Sequence, residues 1–241
     1  LGNLGAIGSS GSSSLIFYGG TLQFTSANTY DYSSRFSTAS GQSFNLDTNG
    51  QAVTLATSIQ SSGGSLTKTG TGTLILSGAN TYNGSTTISQ GTLQLGASNV
   101  IADASSMYIY GTFDLNGNSD AVNGISQNGI ITNSSTSSNS TLTIGAGNAS
   151  STFDGTITDA SATYPLILVK SGSGTITLTG SNTYRGLTTI NSGGALVITN
   201  AAALGSIVSG TVVNSGGSLV LAGAAAGTSF NAEPLTISGT G

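Results

Sequence analysis

Few residues of this 241-residue sequence could do acid–base chemistry. It has no His and no Cys, and only 5% of its residues are charged, where about 25% is usual. The four basic residues are far apart in sequence: Arg35, Lys68, Lys170 and Arg185. The eight acidic residues are never adjacent: Asp31, Asp47, Asp103, Asp114, Asp120, Asp154, Asp159 and Glu233. Polysaccharide-cleaving enzymes need clustered carboxylates, so the sequence predicts no catalytic residues and disfavours an enzyme.

The stretch Asp114 to Asp120 holds the best arrangement of metal-ligating oxygens. Asp114, Asn116, Asn118 and Asp120 alternate as in a calcium loop, but no Glu follows at the position that such a loop requires. A turn rich in Asn and Gly explains the same residues, and we favour that interpretation. A zinc site is not expected without His or Cys. The sequence therefore predicts neither a metal nor a cofactor.

Charge and hydropathy exclude two further classes of partner. The net charge is −4 and the few basic residues form no patch, so nucleic-acid binding is not expected. No apolar run approaches the roughly 20 residues of a membrane-spanning helix. We expect no membrane-spanning segment in this chain.

The remaining residues predict short β-strands. A small residue and Ser or Thr are followed by an apolar–any–apolar triplet, which buries one face of a strand. Copies of this pattern begin at Gly20, Gly72, Gly91, Gly111, Ser140, Gly174 and Gly217. Gly72, Gly91 and Gly111 are 19 and 20 residues apart, a spacing typical of stacked solenoid coils. We predict an all-β parallel solenoid with coils of about 20 residues, nearly without α-helix, as one domain over 1–241.

A longer unit is superimposed on this pattern. Lys68 to Gly91 aligns without gaps to Lys170 to Gly193, which lies 102 residues later, and Gly20 to Tyr30 is a fainter copy 52 residues before Gly72 to Tyr82. These offsets indicate a period of about 51 residues, or two to three coils. Ser150 to Ile157 is a candidate remnant of the missing copy. Stacking would place these apolar residues in interior columns: Leu22, Leu74, Leu93, Phe113, Leu142, Ile176, Leu196 and Leu219.

An Asn-Thr-Tyr element recurs in the longer unit. Its Asn and Tyr residues are Asn28 and Tyr30, Asn80 and Tyr82, and Asn182 and Tyr184. Because Asn tolerates left-handed backbone and bonds its own backbone in turns, we interpret the element as a coil corner across which the Tyr packs. A sugar-binding Tyr is the alternative.

Two other features are candidates for binding. Tyr108 and Tyr110 alternate with Met107 and Ile109, so both tyrosines face outward if Met107 and Ile109 face inward. Exposed aromatic rings can bind a sugar or a partner, whereas the structural alternative is that they cover a corner or pack under a loop. The Ser- and Asn-rich segment 127–140 interrupts the coil rhythm and is predicted to be an irregular loop.

The string from Gly70 to Gly96 resembles the autotransporter-associated β-strand repeat of bacterial passenger regions. Gly172 to Ile198 resembles it too, and Ala201 to Ala222 is similar to the segment that follows such a repeat. The resemblance implies a right-handed parallel β-helix without catalytic residues. It also implies passage through the outer membrane, a surface-exposed stalk, and an extracellular or outer-membrane-surface location.

The leading hypothesis is a structural stalk or scaffold segment of a longer bacterial surface or secreted protein. Open strand edges at the ends of a solenoid must be capped or paired, so we expect end-to-end stacking of copies into a filament, or contact with other surface proteins. The alternative is an adhesin module that binds glycan or a partner surface through Tyr108 and Tyr110.

Overall fold

The alternation of apolar and polar residues produces short strands with one buried face. The computed structural model describes residues 13–223 and 233–238. In Ser65–Thr69 the second and fourth residues are buried and the others are half-buried, as a period of two requires. The only helix among the described residues is a three-residue 3₁₀ turn, Ser33–Arg35. No helix in these ranges is long and apolar enough to cross a membrane.

Twenty-two strands follow one another along the described chain. They are β1 (Thr21–Gln23), β2 (Ser43–Asp47), β3 (Ala52–Leu55), β4 (Ser65–Thr69), β5 (Thr73–Leu76), β6 (Thr86–Ile88), β7 (Thr92–Leu95), β8 (Ser106–Ile109), β9 (Thr112–Asp114), β10 (Asp120–Val122), β11 (Gly124–Ser126), β12 (Ile130–Asn133), β13 (Ser140–Ile144), β14 (Ser151–Phe153), β15 (Thr156–Asp159), β16 (Leu166–Lys170), β17 (Thr175–Leu178), β18 (Thr188–Ile190), β19 (Ala195–Ile198), β20 (Thr211–Val213), β21 (Ser218–Leu221) and β22 (Leu235–Ile237).

These strands stack on three faces of a parallel solenoid. The first face contains β1, β2, β4, β6, β8 and β11, and a parallel bridge from Gln127 to Phe153 continues it into β14, β17, β19 and β21. The second face contains β3, β5, β7, β9, β12 and β15, and the third contains β10, β13, β16, β18, β20 and β22. Every pairing between these strands is parallel. The predicted all-β parallel solenoid is therefore confirmed.

The solenoid has about nine coils of about 22 residues, slightly longer than predicted. Register partners on the second face are 18 residues apart at Phe113 and Ile131, but 26 apart at Ile131 and Ile157. Coil length therefore varies, and the corners absorb the difference. The interior column of the second face is fully buried and consists of Val53, Leu74, Leu93, Phe113, Ile131 and Ile157.

The other residues predicted for interior columns lie on different faces. Leu22 is on the first face with Ile176, Leu196 and Leu219, whereas Leu142 is on the third. The cause is the length of the repeat. The two full copies, 102 residues apart, begin in β4 on the first face and in β16 on the third. Following the strands from β4 through β14 to β16 gives four and two-thirds coils.

Half of this distance, about 51 residues, is two and one-third coils. Since a coil has three faces, each copy of the unit would lie one face further around the solenoid than the copy before it. The copy that follows β5 on the second face is expected on the third face, after β7 and β9, where the structure has β10. By this count the missing copy would lie at Asp120–Val122 instead of Ser150–Ile157, and the position of that copy stays a prediction.

The prediction of an irregular loop over 127–140 was wrong. Ile130–Asn133 forms β12 and pairs with both β9 and β15, and β13 begins at Ser140. Irregular backbone remains at Gln127, where φ is 80°, and between these strands. The Ser- and Asn-rich composition concealed the alternation of Ile131 with its neighbours, because β12 is only four residues long.

Candidate functional site

Tyr108 and Tyr110 lie on the outer surface at the first face. Tyr108 is in β8, and Tyr110 follows that strand at the corner before β9. These two residues are 40% and 53% exposed, whereas the alternate residues Met107 and Ile109 are fully buried. Because successive side chains of a strand point to opposite faces, burial of these two anchors directs both tyrosines outward.

Small polar residues surround this tyrosine pair. In the register of the first face, Tyr108 pairs with Thr87 on one neighbouring coil and with Ser126 on the other. Ser89 directly follows β6 and is exposed, as is Asn128 after β11. None of these side chains is charged. The arrangement presents two aromatic rings on a neutral surface of hydroxyl and amide groups.

The Asn-Thr-Tyr elements lie at corners and tie successive coils together. Ile59 N donates to Asn80 Oδ1 at 2.7 Å, and Asn80 Nδ2 donates to Val100 O at 2.7 Å. In the second full copy, Ile157 N donates to Asn182 Oδ1 at 2.8 Å and Asn182 Nδ2 donates to Ala203 O. Each Asn side chain therefore links the preceding coil to the following one through buried backbone groups.

The tyrosines of these two copies are fully buried. The Tyr82 hydroxyl shares a hydrogen bond of 2.9 Å with Thr86 Oγ1, and that of Tyr184 shares one of 2.6 Å with Thr188 Oγ1. Burial raises the pKa of both phenols. With no exposed ring, neither tyrosine can stack on a sugar.

The first copy is built differently. Asn28 Nδ2 donates to the hydroxyl of Tyr32 at 2.8 Å, and Tyr32 is fully buried. Tyr30 is half-buried and packs on Tyr32 with ring centroids 5.0 Å apart. The buried position is thus taken by Tyr32, two residues after the tyrosine of the repeat. The sequence shows Tyr30 two residues and Tyr32 four residues after Asn28. No feature of the sequence indicated which of these two tyrosines would be buried.

The carboxylates of Asp114 and Asp120 bond to protein donors. Asp114 accepts from the N–H and hydroxyl of Ser134 and from Gln94 Nε2. Asp120 accepts from Val100 N and Ile101 N at 3.0 and 3.1 Å, and its burial raises its pKa to about 6. Both therefore connect neighbouring coils. Within the described ranges, no group of three or more His, Cys, Asp or Glu residues could hold a metal ion.

Sequence reasoning missed the two lysines as structural residues. Lys68 lies in the interior column of the first face between Leu46 and Ile88, and Lys170 lies in that of the third face between Ile144 and Ile190. Both are fully buried. Lys is almost never fully buried, and the sequence analysis gave these two lysines no structural role. The two lysines occupy the same position in the two aligned copies, and this repetition was the feature of the sequence that could have indicated a shared structural role.

Backbone carbonyls bind each ammonium group. Lys68 Nζ donates to Thr69 O, Gly70 O and Gln90 O at 2.9, 2.7 and 3.1 Å, the last on the next coil. Lys170 Nζ donates to Ser171 O and Gly172 O. Gly91 packs against the first ammonium, and a Cβ there would lie 2.8 Å from Lys68 Nζ. Burial lowers the pKa of Lys68 to about 8 and also lowers that of Lys170.

A charge pair with a buried carboxylate stabilises the corner after β15. Arg185 Nη1 contacts Asp159 Oδ1, and Asp159 Oδ2 also accepts from Arg185 N and Leu166 N at 2.7 and 3.2 Å. The Asp159 side chain is fully buried, while that of Arg185 is 38% exposed. The pair therefore joins the corner to both β16 and the Asn182 loop.

Fold and corners define a repeat-built parallel β-solenoid whose polar groups hold coil to coil. Residues 66–95 and 168–198 match the passenger-associated-transport-repeat. The chain therefore contains two passenger-associated transport repeats, and the resemblance found from the sequence is confirmed.

One curated relative extends this match. The chain is 36% identical over 216 residues to the adhesin BmaC autotransporter of Brucella suis biovar 1 (strain 1330). The alignment covers 86% of this chain but 6% of that protein, so the chain spans a small part of its relative's length. No solved structure matches the chain.

Proposed function

We propose that this chain is a non-enzymatic structural segment that contributes coils to a stalk at the bacterial surface. The observation that carries the proposal is the continuous parallel stack of the first face, from β1 to β21. The polar side chains at its corners form hydrogen bonds that hold neighbouring coils together. Such a stack is quasi-one-dimensional, which suits a spacer that holds other parts of a protein away from the cell.

The comparisons support a surface-exposed or secreted, passenger-like protein. The transport repeats and the adhesin autotransporter relative both indicate this class of protein. We propose in addition that the segment lies within a stalk anchored in the outer membrane.

The stalk role predicts a measurable length. About nine coils at about 4.8 Å each give about 43 Å. We expect deletion of 13–223 from the full-length protein to shorten the distance from the outer membrane to the tip by this amount in cryo-electron tomography of cells. An antibody against the segment should label intact cells as strongly as permeabilised ones. Labelling only after permeabilisation, or an unchanged tip distance, would reject the role.

End-to-end stacking of copies is the second part of the proposal. Ile237 lies in β22, the last strand of the third face among the described residues, and the outermost strand of a solenoid leaves backbone groups unpaired unless a cap or another strand covers them. A parallel strand of another copy would cover them. Light scattering after size exclusion should show concentration-dependent oligomers that Ile237→Lys abolishes. A monomer at all concentrations would exclude stacking.

An adhesin role is the second candidate function. It is favoured by the neutral, exposed tyrosine pair on the outer surface, because a spacer does not need two exposed aromatic rings so close together. The name of the relative indicates adhesins as a class of protein and specifies no ligand. Loss of cell or glycan adhesion after removal of both rings, with the stalk length unchanged, would separate this function from the stalk role.

A further inference from the structure

We propose that Tyr108 and Tyr110 form a binding site for a neutral oligosaccharide, with the hydroxyl and amide groups of the neighbouring coils as its polar rim. The proposal specifies the ligand class of the adhesin function and rests on that second candidate, not on the stalk role. It concerns the tyrosine pair with Thr87 and Ser126.

The geometry of the strand suits a chain of sugar rings. Tyr110 directly follows β8, and residues two apart in the chain are at most about 7 Å apart, so the two tyrosine rings are close enough to contact neighbouring rings of one oligosaccharide. Tyr108 and Tyr110 point to the same side, because the alternate residues Met107 and Ile109 are buried. Tyr108 pairs with a neighbouring coil on each side, and Tyr110 N donates to Ile88 O at 2.9 Å, so both backbones are held in place before a ligand arrives.

The rim supplies hydrogen bonds without charge. Thr87 and Ser126 lie one coil away from Tyr108 on either side, about 4.8 Å in the stacking direction. Ser89 and Asn128 are exposed beside the corner that carries Tyr110. Tyr gives rigid contact area at low entropic cost, and Ser and Asn give adaptable hydrogen bonds. Sugar hydroxyls require this combination.

Charge and area disfavour other partners. No basic side chain lies in this cluster, and the only two lysines of the sequence are buried elsewhere, so an anionic polymer finds no counter-charge. The two rings expose on the order of 200 Å² together, whereas a stable protein interface takes about 800 Å² from each partner. A neutral sugar chain is the ligand that both limits allow.

The experiment uses the full chain and four probes: maltohexaose, cellohexaose, chitohexaose and, as the anionic comparison, heparin hexasaccharide. With tyrosine rings carrying ¹³C, binding is followed by NMR titration. We expect at least one neutral hexasaccharide to shift the ring signals of Tyr108 and Tyr110. In Tyr108→Ala/Tyr110→Ala, affinity for the same probe should fall at least tenfold. Tyr18→Ala is the matched control, because Tyr18 is 89% exposed and lies on another part of the chain.

Each result decides the proposal. A shift confined to Tyr108 and Tyr110, lost in the double variant but kept in Tyr18→Ala, supports it. No response to any neutral probe overturns it, as does a response to heparin alone or binding that survives in the double variant. Both variants should keep the wild-type circular dichroism spectrum, since the exposed rings contribute little to the core. The stalk role is unaffected by any of these outcomes.

Discussion

Raising the pH from 7 to 9 should stabilise this protein, because Lys68 is buried as an ammonium group. Its pKa is lowered from 10.5 to about 8 in the folded state, mainly by desolvation. Between these values the unfolded chain binds more protons than the folded one, so the free energy of unfolding rises with pH. Below about pH 8 both states are protonated, and the cost of burying the charge is present in full.

The magnitude follows from the shift. Titration of a group whose pKa falls from 10.5 to about 8 adds about 1 kcal/mol between pH 7 and 9. Lys170 adds to this in the same direction, since burial lowers its pKa as well. The sequence has no His or Cys, so apart from the α-amino group no other type of group ordinarily titrates in this window. Tyr82 and Tyr184 act oppositely, because their pKa values are raised, but only above about pH 10.

Urea denaturation followed by far-ultraviolet circular dichroism measures the effect at pH 7, 8 and 9. We expect the free energy of unfolding to rise across the series in the wild type. The rise should become smaller in Lys68→Met and disappear in Lys68→Met/Lys170→Met, since Met keeps an unbranched apolar stem but cannot titrate. A flat or falling wild-type series, or the same rise in the double variant, would refute the buried-ammonium explanation.

Three further predictions concern the corners and the two buried lysines. Asn182→Ala leaves two buried backbone groups without partners and should lower the free energy of unfolding by about 2–4 kcal/mol in urea denaturation, whereas Asn139→Ala, at an exposed position, should change it by less than about 0.5 kcal/mol; equal effects would mean that the Asn182 side chain does not link coils. Arg185→Met leaves the Asp159 carboxylate buried without its cation and should lower the free energy of unfolding by about 1–3 kcal/mol; an unchanged free energy of unfolding would rule out a contribution from the charge pair. Both lysines should resist acylation by an N-hydroxysuccinimide ester in the folded protein and react in urea, as read by mass spectrometry, and rapid acylation of the folded protein would contradict their burial.

The fold class could be predicted from the sequence because its signal is local. Alternation at Leu74 and Leu76 buries one side of a strand, and Gly between strands permits corners, whichever face of the solenoid they occupy. The outward direction of Tyr108 followed from the same alternation. Repetition then favoured stacked coils over a sandwich.

The face on which each repeat lies could not be predicted. Sequence similarity between Lys68 to Gly91 and Lys170 to Gly193 shows that the local structures are alike, but rotation by one face leaves local structure unchanged. Because coil lengths vary from 18 to 26 residues, the face on which a residue lies cannot be found by counting residues along the chain. The buried lysines were missed for another reason. Their burial depends on carbonyls such as Gln90 O, which only stacking brings within reach.

Spin-label distances test the stacked parallel coils most directly. Ala52 and Thr156 are 104 residues apart in sequence, but five successive register pairings connect them on the outer surface of the second face. The chain has no Cys, so Ala52→Cys/Thr156→Cys can be labelled cleanly. Five coils at about 4.8 Å predict a narrow distribution centred near 24 Å, broadened by the label linkers, in double electron–electron resonance. A broad distribution, or a peak beyond about 35 Å, would show that these strands do not stack in this register.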